Sequence, residues 1–524
     1  MKKYLLPAIF TTLSASAFAQ GTLSGDLMTN LNFFQNDDKI ILPNNPLYEK
    51  VKSGGEGWLS LRYNNNGFTA TLRVDAFQNS NLKYLTRPMT AFGVGAFSLS
   101  KEVGDLSITA GYIYDQVGSG ILFRSYEDRG LLIDNALVGV SLKYKLSDHV
   151  FAKGFAGQQK NNNGINTFYA PVLKGLNIEG DFDAGKAHLA PGVGALNRTL
   201  DQASMDAVVS TINGQDLKDR FIPMYNTYAF TAYNTLNWGN FSWYAEGAYK
   251  TNEAINVNGK LLDRSGTVGF TTLGWAKKGI AINLTGKRTE NFVMRTSPSQ
   301  TLLDGMMNWQ PIVAVIRPHR LLARYTPASQ DVSELAYKGD LLLAPSDDFN
   351  ATINYTSINT LNDEKLYREI FADAEYRGLK KWVLSAGVQY MEYNLQVYRQ
   401  EPLPFMFSFT PFAEVTYKIN EKHSIRTEWE YQDTKQDMGS WLFGLIEYNI
   451  SPKWSFAVSD MYNIKPTAAF EKTHYYNVFT AYTKGPHRFT LAYVKQVAGI
   501  NCTGGVCRYE PAFSGLRGMI TTSF

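Results

Sequence analysis

Apolar and polar residues alternate one by one along most of this chain. Leu23, Gly25, Leu27, Thr29, Leu31 and Phe33 interleave with Ser24, Asp26, Met28, Asn30 and Asn32. Phe68, Ala70, Leu72, Val74 and Ala76 interleave with Thr69, Thr71, Arg73 and Asp75. The same pattern runs through Ile425, Thr427, Trp429 and Tyr431, and again through Leu516, Gly518, Ile520, Thr522 and Phe524. Positions i and i+2 of a strand share one face, so each segment has one apolar and one polar side. A helical period is weak and confined to residues 201–212. The pattern predicts an all-β chain of antiparallel strands.

The connections are of two kinds, and they take turns. One kind is short, polar and bracketed by aromatics, as in Tyr63-Asn64-Asn65-Asn66-Gly67-Phe68 and Trp238-Gly239-Asn240-Phe241. The other is longer, irregular and charged, as at 35–56, 79–92, 116–131, 160–223, 290–332 and 464–472. Aromatic-flanked short turns at one end and long loops at the other are the signature of an outer-membrane barrel. A sheet in lipid must close on itself, because no water satisfies a free edge. The expected fold is a single large antiparallel transmembrane β-barrel over 20–524, with about 22 strands (range about 18–24). Its short turns face the periplasm and its long loops the outside. Segment 170–180 also alternates, but one more strand there breaks the up–down order. It is therefore assigned to loop 160–223, a long outer or plugging loop.

Residues 1–19 read as a removable export signal: Lys2 and Lys3, a short apolar core, then Ala17-Phe18-Ala19 before Gln20. No cysteine follows that site, so a lipid anchor is not expected. The first strand starts within a few residues of Gln20, so no separate N-terminal plug domain is expected either. The chain carries 51 Lys and Arg against 47 Asp and Glu, a net charge of +4. Removing the signal leaves about +2, too little for the concentrated basic face that nucleic-acid binding needs. No later stretch reaches ~18 uninterrupted apolar residues, so membrane-spanning helices are excluded. Hydrophobic content of 44% argues against disorder, and the 14% of aromatic residues suits a barrel with interfacial girdles.

The C-terminal fifth carries motifs of higher specificity. Ser424-Ile425-Arg426-Thr427-Glu428 leads to Thr434-Lys435-Gln436-Asp437-Met438-Gly439-Ser440-Trp441, then Pro452-Lys453-Trp454 and Asp460-Met461-Tyr462-Asn463. Cys502-Thr503-Gly504-Gly505-Val506-Cys507-Arg508 and Ile520-Thr521-Thr522-Ser523-Phe524 close the chain. Upstream, Tyr114-Asp115-Gln116, Tyr126-Glu127-Asp128-Arg129 and Ile133-Asp134-Asn135 belong to the same pattern. The sequence resembles a family of exported barrel proteins of gut-type Gram-negative bacteria, a domain of unknown function, over its full mature length. It departs from that pattern at Glu510-Pro511-Ala512, where the family has Val-Pro-Ala. The resemblance implies fold and location in the outer membrane and transfers no activity. Phe524, closing an alternating strand, resembles the signal by which the barrel-assembly machinery recognises its clients.

Candidate chemistry is sparse. Cys502 and Cys507 are the only cysteines; in an exported loop a small disulfide ring is the favoured reading, with unbridged thiols as the alternative. The inward parity carries Arg73, Asp75, Glu246, Lys338, Asp340, Glu369, Asp373, Arg426, Glu428, Glu430, Glu447 and Arg517. A polar lumen requires such residues anyway; a selectivity ring is the sharper reading, and mixed signs argue against strong ion selectivity. Loop 116–135 gathers Arg124, Glu127, Asp128, Arg129 and Asp134 beside Gly118 and Gly120. An inward fold that constricts the pore and an ordinary solvated loop both fit it. Loop 303–326 is unusually apolar, with Met306, Met307, Trp309, Ile312, Val313, Val315, Ile316, Leu321 and Leu322. It would contact the lumen, lipid or a partner protein, or form an extra hairpin, which is the favoured reading. The six histidines are scattered and no HExxH, phosphate loop or Gly-x-Ser-x-Gly occurs, so no catalytic, cofactor or metal site is expected.

Two functions follow from such a barrel. The first is a channel or loop-gated facilitator for polar solutes. The alternative is a non-conducting structural or assembly subunit of an outer-membrane complex. Membrane lipid is the obligate partner, with a protein partner at the outer loops as a further candidate.

Overall fold

A computed structural model describes residues 21–524 except 41–46, 81–87, 131–132, 162, 258, 302–303, 329–331, 400–401, 404, 469, 504–505 and 511; the side chains of 47, 500–503 and 506–510 are also outside it. The proposed signal, residues 1–19, lies outside the described residues.

Among the described residues, 24 strands form one closed antiparallel ring. Each pairs with its neighbour in sequence, from Thr22–Phe34 and Ser53–Asn65 round to His487–Gln496 and Phe513–Ser523. The last strand returns to the first, with Asp26 opposite Ser523 and Phe34 opposite Gly515. Backbone bonds between Gly25 and Phe524 run both ways, at 2.9 and 3.0 Å. Closure leaves no free edge, which is the condition a spanning sheet must meet.

The ring has two strands more than the alternation pattern counts. Segment 160–223 is not one loop: Thr167–Gly180 and Ala187–Thr199 are wall strands. They pair with each other from Val172–Thr199 to Glu179–Gly192, and Ala187–Thr199 pairs onward with Asn226–Trp238. The second strand hides in the sequence because Pro191, Gly192, Gly194 and Ala195 give it little contrast between faces. With both strands present the up–down order is kept. What remains of the loop is 200–225, which holds an α-helix at Gln202–Asn213. Its N-cap Asp201 accepts from the Ala203 and Ser204 amides.

The outward parity is apolar through the middle of the wall: Leu72, Leu99, Leu176, Ile353, Ile370, Ile446, Val478 and Leu491 are all exposed. Aromatics bound this belt. At the short-turn end lie Trp238, Trp275, Tyr376, Trp382, Trp454, Phe489 and Phe524, all exposed. Trp382 packs on Tyr417 at 4.4 Å and Trp454 on Tyr482 at 4.6 Å, each across a strand pair. Tyr228, Tyr249, Tyr337 and Phe409 form the opposite girdle. Aromatic rings with polar edges settle at both lipid boundaries, so the belt fixes the height of the barrel in a bilayer. Among the described residues no helix is long and apolar enough to cross a membrane.

Candidate functional site

The inward face changes character along its height. At the short-turn end it is polar, as a water-filled lumen requires. Toward the long-loop end it turns apolar: Phe155, Leu173, Leu196, Ala229, Ala248 and Val268, on successive strands, all point inward and are buried. An apolar inner wall needs something to cover it. Two long loops fold into the barrel and do so.

The first is loop 114–136. Val117, Ile121, Leu122 and Phe123 pack on that apolar wall, and Phe123 stacks on Phe155 at 4.5 Å. At one end the loop is held by charge. Arg73 pairs with Asp75 at 2.7 Å, with Glu127 at 2.9 Å and with Asp134 at 2.6 Å. Lys160 reaches the same Asp134 oxygen at 2.6 Å, and the Tyr114 hydroxyl donates to the other at 3.0 Å. Arg129 bridges Glu127 at 2.8 Å and Asp26 at 3.3 Å and covers the Trp58 ring. Burial, the strongest influence on Asp134, works to raise its pKa. The charges of Lys160 and Arg73 outweigh it and hold the carboxyl below the ordinary range.

At its other end the loop crosses to a distant wall strand. The Ser119 amide donates to Glu246 at 3.0 Å, and Glu246 also accepts from Thr231 and Tyr244. The turn that makes this reach possible uses Gly118 and Gly120, with φ of 55° and 97°. A Cβ on Gly118 would lie 2.9 Å from the Glu246 oxygen, so glycine is needed here twice over.

The second loop is 291–333, which contains the apolar segment 303–326. Its described residues form neither an extra hairpin nor an outward surface: Met306, Met307, Val313, Leu321, Leu322 and Tyr325 are buried within the barrel. Inward wall residues grip it along its length. Lys250 donates to the Val293 carbonyl at 2.8 Å and Lys287 to the Pro311 carbonyl at 2.9 Å. Arg317 makes a two-pronged pair with Glu369 at 3.0 and 2.9 Å and bonds Asn354 at 2.8 Å. Glu430 accepts the Arg320 and Leu321 amides at 2.8 and 2.7 Å. Arg324 lies over Trp441 at 4.2 Å, and Tyr325 donates to Asp437 at 2.7 Å. Burial lifts the Tyr325 hydroxyl to about 12, so it stays protonated and can donate. The His319 ring lies tilted against Phe412, with centroids 4.0 Å apart; burial lowers its pKa although Glu428, Glu414 and Asp373 face it, with Arg426 opposing them.

The two loops then lock to each other. The Arg124 amide donates to the Met307 carbonyl, and the Trp309 amide to the Gly120 carbonyl, both at 2.9 Å. Asn308 donates to the Ile121 carbonyl at 2.8 Å and Asn135 to the Met306 carbonyl at 3.0 Å. The Arg124 guanidinium lies between Tyr126, at 4.5 Å, and Trp309, at 5.0 Å. The result is a partition across the lumen, built by the chain's own loops.

Residues singled out on the inward parity contact the two loops or one another. Arg73, Asp75, Glu246, Glu369 and Glu430 hold the partition. Lys338 and Asp340 pair at 3.1 Å. Arg426 pairs with Glu414 at 2.7 Å, with Glu428, and with Glu447 at 3.8 Å. Arg517 bonds Asn32 at 3.1 Å and covers Phe513. Asp128 pairs its backbone with Ile133 in a small ribbon inside the first loop. Sequence reading misses Lys160, Lys250, Lys287 and Arg317. Lys250 and Lys287 sit on the inward parity and are findable by it; Lys160 is off the parity of Phe155 and turns inward through the register shift between Gln158 and Lys160, and Arg317 carries no periodic signal. Cys502 and Cys507 face each other across the ribbon Gly499–Thr503 and Val506–Glu510, but their side chains lie outside the described residues. No group of three or more metal-ligating side chains occurs among the described residues.

Solved structures with a similar ring include the siderophore receptor PirA from Pseudomonas aeruginosa, 8% identical, covering 96% of this chain and 80% of that one, TM-score 0.43. Another is P. aeruginosa OccK1 (OpdK), 8% identical, with 96% and 98% covered and a TM-score of 0.36. A third comes from the E. coli P pilus tip assembly intermediate PapC-PapD-PapK-PapG, 10% identical, with 97% and 62% covered and a TM-score of 0.49. At these scores the likenesses add nothing to what the hydrogen-bonded ring already establishes. No curated protein matches the sequence. A family model matches residues 1–524, the whole chain, and the protein belongs to that family of unknown function, DUF6029.

Proposed function

We propose that this protein is an outer-membrane channel for polar solutes, gated by its own two infolded loops. The observation that carries the reading is the interlocked partition itself. A purely structural wall has no need of a loop-built division between a polar lower lumen and the long-loop end. Part of what holds it is charge pairs and hydrogen bonds between a loop and a wall, which can exchange with water and solute. A lumen lined by groups of both signs suits uncharged or zwitterionic polar solutes better than a single ion class. Arg124, Glu127, Asp128, Arg129 and Asp134 then serve as the constriction, and the paired charges below it keep the path wet. Phe524, on the lipid-facing parity at the closing strand, serves as the assembly signal read at insertion.

Liposome swelling tests the reading. Purified protein in sealed vesicles should admit small neutral polar solutes, with uptake falling steeply as solute size rises. Vesicles that stay impermeable to the smallest solute would favour the non-conducting structural subunit instead.

A further inference from the structure

The tips of the short turns differ in charge round the ring. Tips 380–381, 419–422, 451–453 and 485–486, with the strand residue on either side, carry Lys380, Lys381, Lys418, Lys422, Lys453 and Lys484 against one carboxylate, Glu421. The other tips, taken the same way, carry Asp105, Asp148, Asp181, Asp183, Asp347 and Asp348 against Lys186, Lys277 and Lys278. Strand pairing sets the basic tips side by side: Trp382–Tyr393 pairs with Met406–Lys418, His423–Gln432 with Ser440–Ile450, and Trp454–Lys465 with His474–Lys484. The rim at this end is therefore basic along one arc and acidic along the rest.

The lysines of the arc are exposed, and among the described residues no ion pair joins any of them to a carboxylate. Charges nearby do find partners: Arg377 pairs with Glu375 at 2.5 Å, and on another part of the rim Lys145 pairs with Asp148 at 2.7 Å. The arc also has a fixed depth. Lys381 precedes Trp382 and Lys453 precedes Trp454, both exposed girdle rings. Lys484 shares the outward parity of Tyr482, which packs on Trp454, and Lys422 precedes His423, whose ring bonds the Tyr448 hydroxyl at 2.6 Å. Lys418 is the exception, on the inward parity of Glu414. A strand advances about 3.3 Å per residue, so these ammonium groups lie just beyond the rings that mark the edge of the hydrocarbon. That is the level of the phosphates, and long lysine stems reach it while staying against the apolar wall. A protein partner would need a buried apolar or aromatic centre, and the aromatics beside these lysines already face lipid. We infer that this arc binds anionic phospholipid headgroups, gathering them on one side of the barrel in the leaflet at its short-turn end. Lipid binding at this rim is independent of whether the lumen conducts.

Native mass spectrometry of the purified full-length protein in detergent tests it, with phosphatidylglycerol and phosphatidylcholine of equal chain length as competing probes. Phosphatidylglycerol adducts should exceed phosphatidylcholine adducts by at least about fivefold, the effect of a single lysine at a charged membrane surface. Combining Lys380→Gln, Lys381→Gln, Lys422→Gln, Lys453→Gln and Lys484→Gln should remove that excess. Combining Lys186→Gln, Lys277→Gln and Lys278→Gln, on the other tips, should leave it in place. The change of gel mobility on heating checks that both variants remain folded barrels. Equal binding of the two lipids overturns the inference and leaves the arc to an acidic protein. An excess that survives the five substitutions, or that the other three abolish as well, overturns it too.

Discussion

At the scale of single residues, Arg73 holds the first loop. Its guanidinium serves Asp75, Glu127 and Asp134 within one buried cluster. Removing one member of such a cluster leaves the others buried and under-compensated, at a cost of about 3–5 kcal/mol. Arg73→Ala should therefore release loop 116–135 while the ring stays closed. Trypsin should then cut after Arg124 or Arg129, sites that the intact partition shields. An unchanged digestion pattern would show that the apolar contacts suffice on their own.

His319 gives the second loop a pH dependence with a definite sign. Its pKa is depressed inside the barrel, where burial outweighs the attraction of Glu428, Glu414 and Asp373. The undocked loop takes up a proton below about pH 6.5 and the docked loop does not. Docking is thus at full strength above that value and weakens as pH falls through the window down to the depressed value. Asp134 adds a second, lower limit. Its contribution is complete above the ordinary carboxylate range near pH 4 and is lost as pH falls through its lowered value. Protection of residues 303–326 from protease should decline between about pH 7.5 and 5.5, and His319→Phe should abolish that decline. A decline that persists in the variant assigns the effect to another group.

At the scale of elements, the alternation of faces shows where strands are, and its failures show what the barrel contains. Strands such as His423–Gln432 read cleanly because one face meets lipid and the other meets paired charge. Ala187–Thr199 does not, since small residues on both faces erase the contrast. Phe155, Leu173, Leu196 and Val268 break the pattern in a more telling way. They are apolar on the face that should be polar, and the reason is the plug that covers them. The apolar loop 303–326 is the complement of that wall. Its composition marks it as covered, but which surface covers it depends on contacts across strands far apart in sequence. The site was legible to the same extent: inward charges follow from parity, whereas Arg317 and the loop-to-loop bonds do not. The C-terminal ribbon offers a separate test at this scale. Cys502 and Cys507 stand opposite each other in the backbone register, within the Cα separation a disulfide spans. Peptide mapping without reductant should recover residues 502–507 as a closed ring inert to alkylation; alkylated thiols would contradict it.

At the scale of the molecule, a ring of 24 strands encloses more space than its own side chains fill. The protein meets this with two loops that cross the lumen, seat on an apolar inner wall and bond to each other. The two loops add no strand to the hydrogen-bonded ring, so closure of the wall and closure of the lumen are expected to be separable properties. The most direct measurement is single-channel conductance in planar bilayers. The intact protein is compared with a variant in which 303–326 is replaced by Gly-Ser sequence of equal length. That replacement removes the grip of Glu369 on Arg317 and of Glu430 on Arg320 and Leu321, together with the Met307 and Trp309 bonds to the first loop. The account predicts small, flickering conductance from the intact protein and large, steady conductance from the variant. Equal silence from both, with each shown to be inserted and folded, would contradict it.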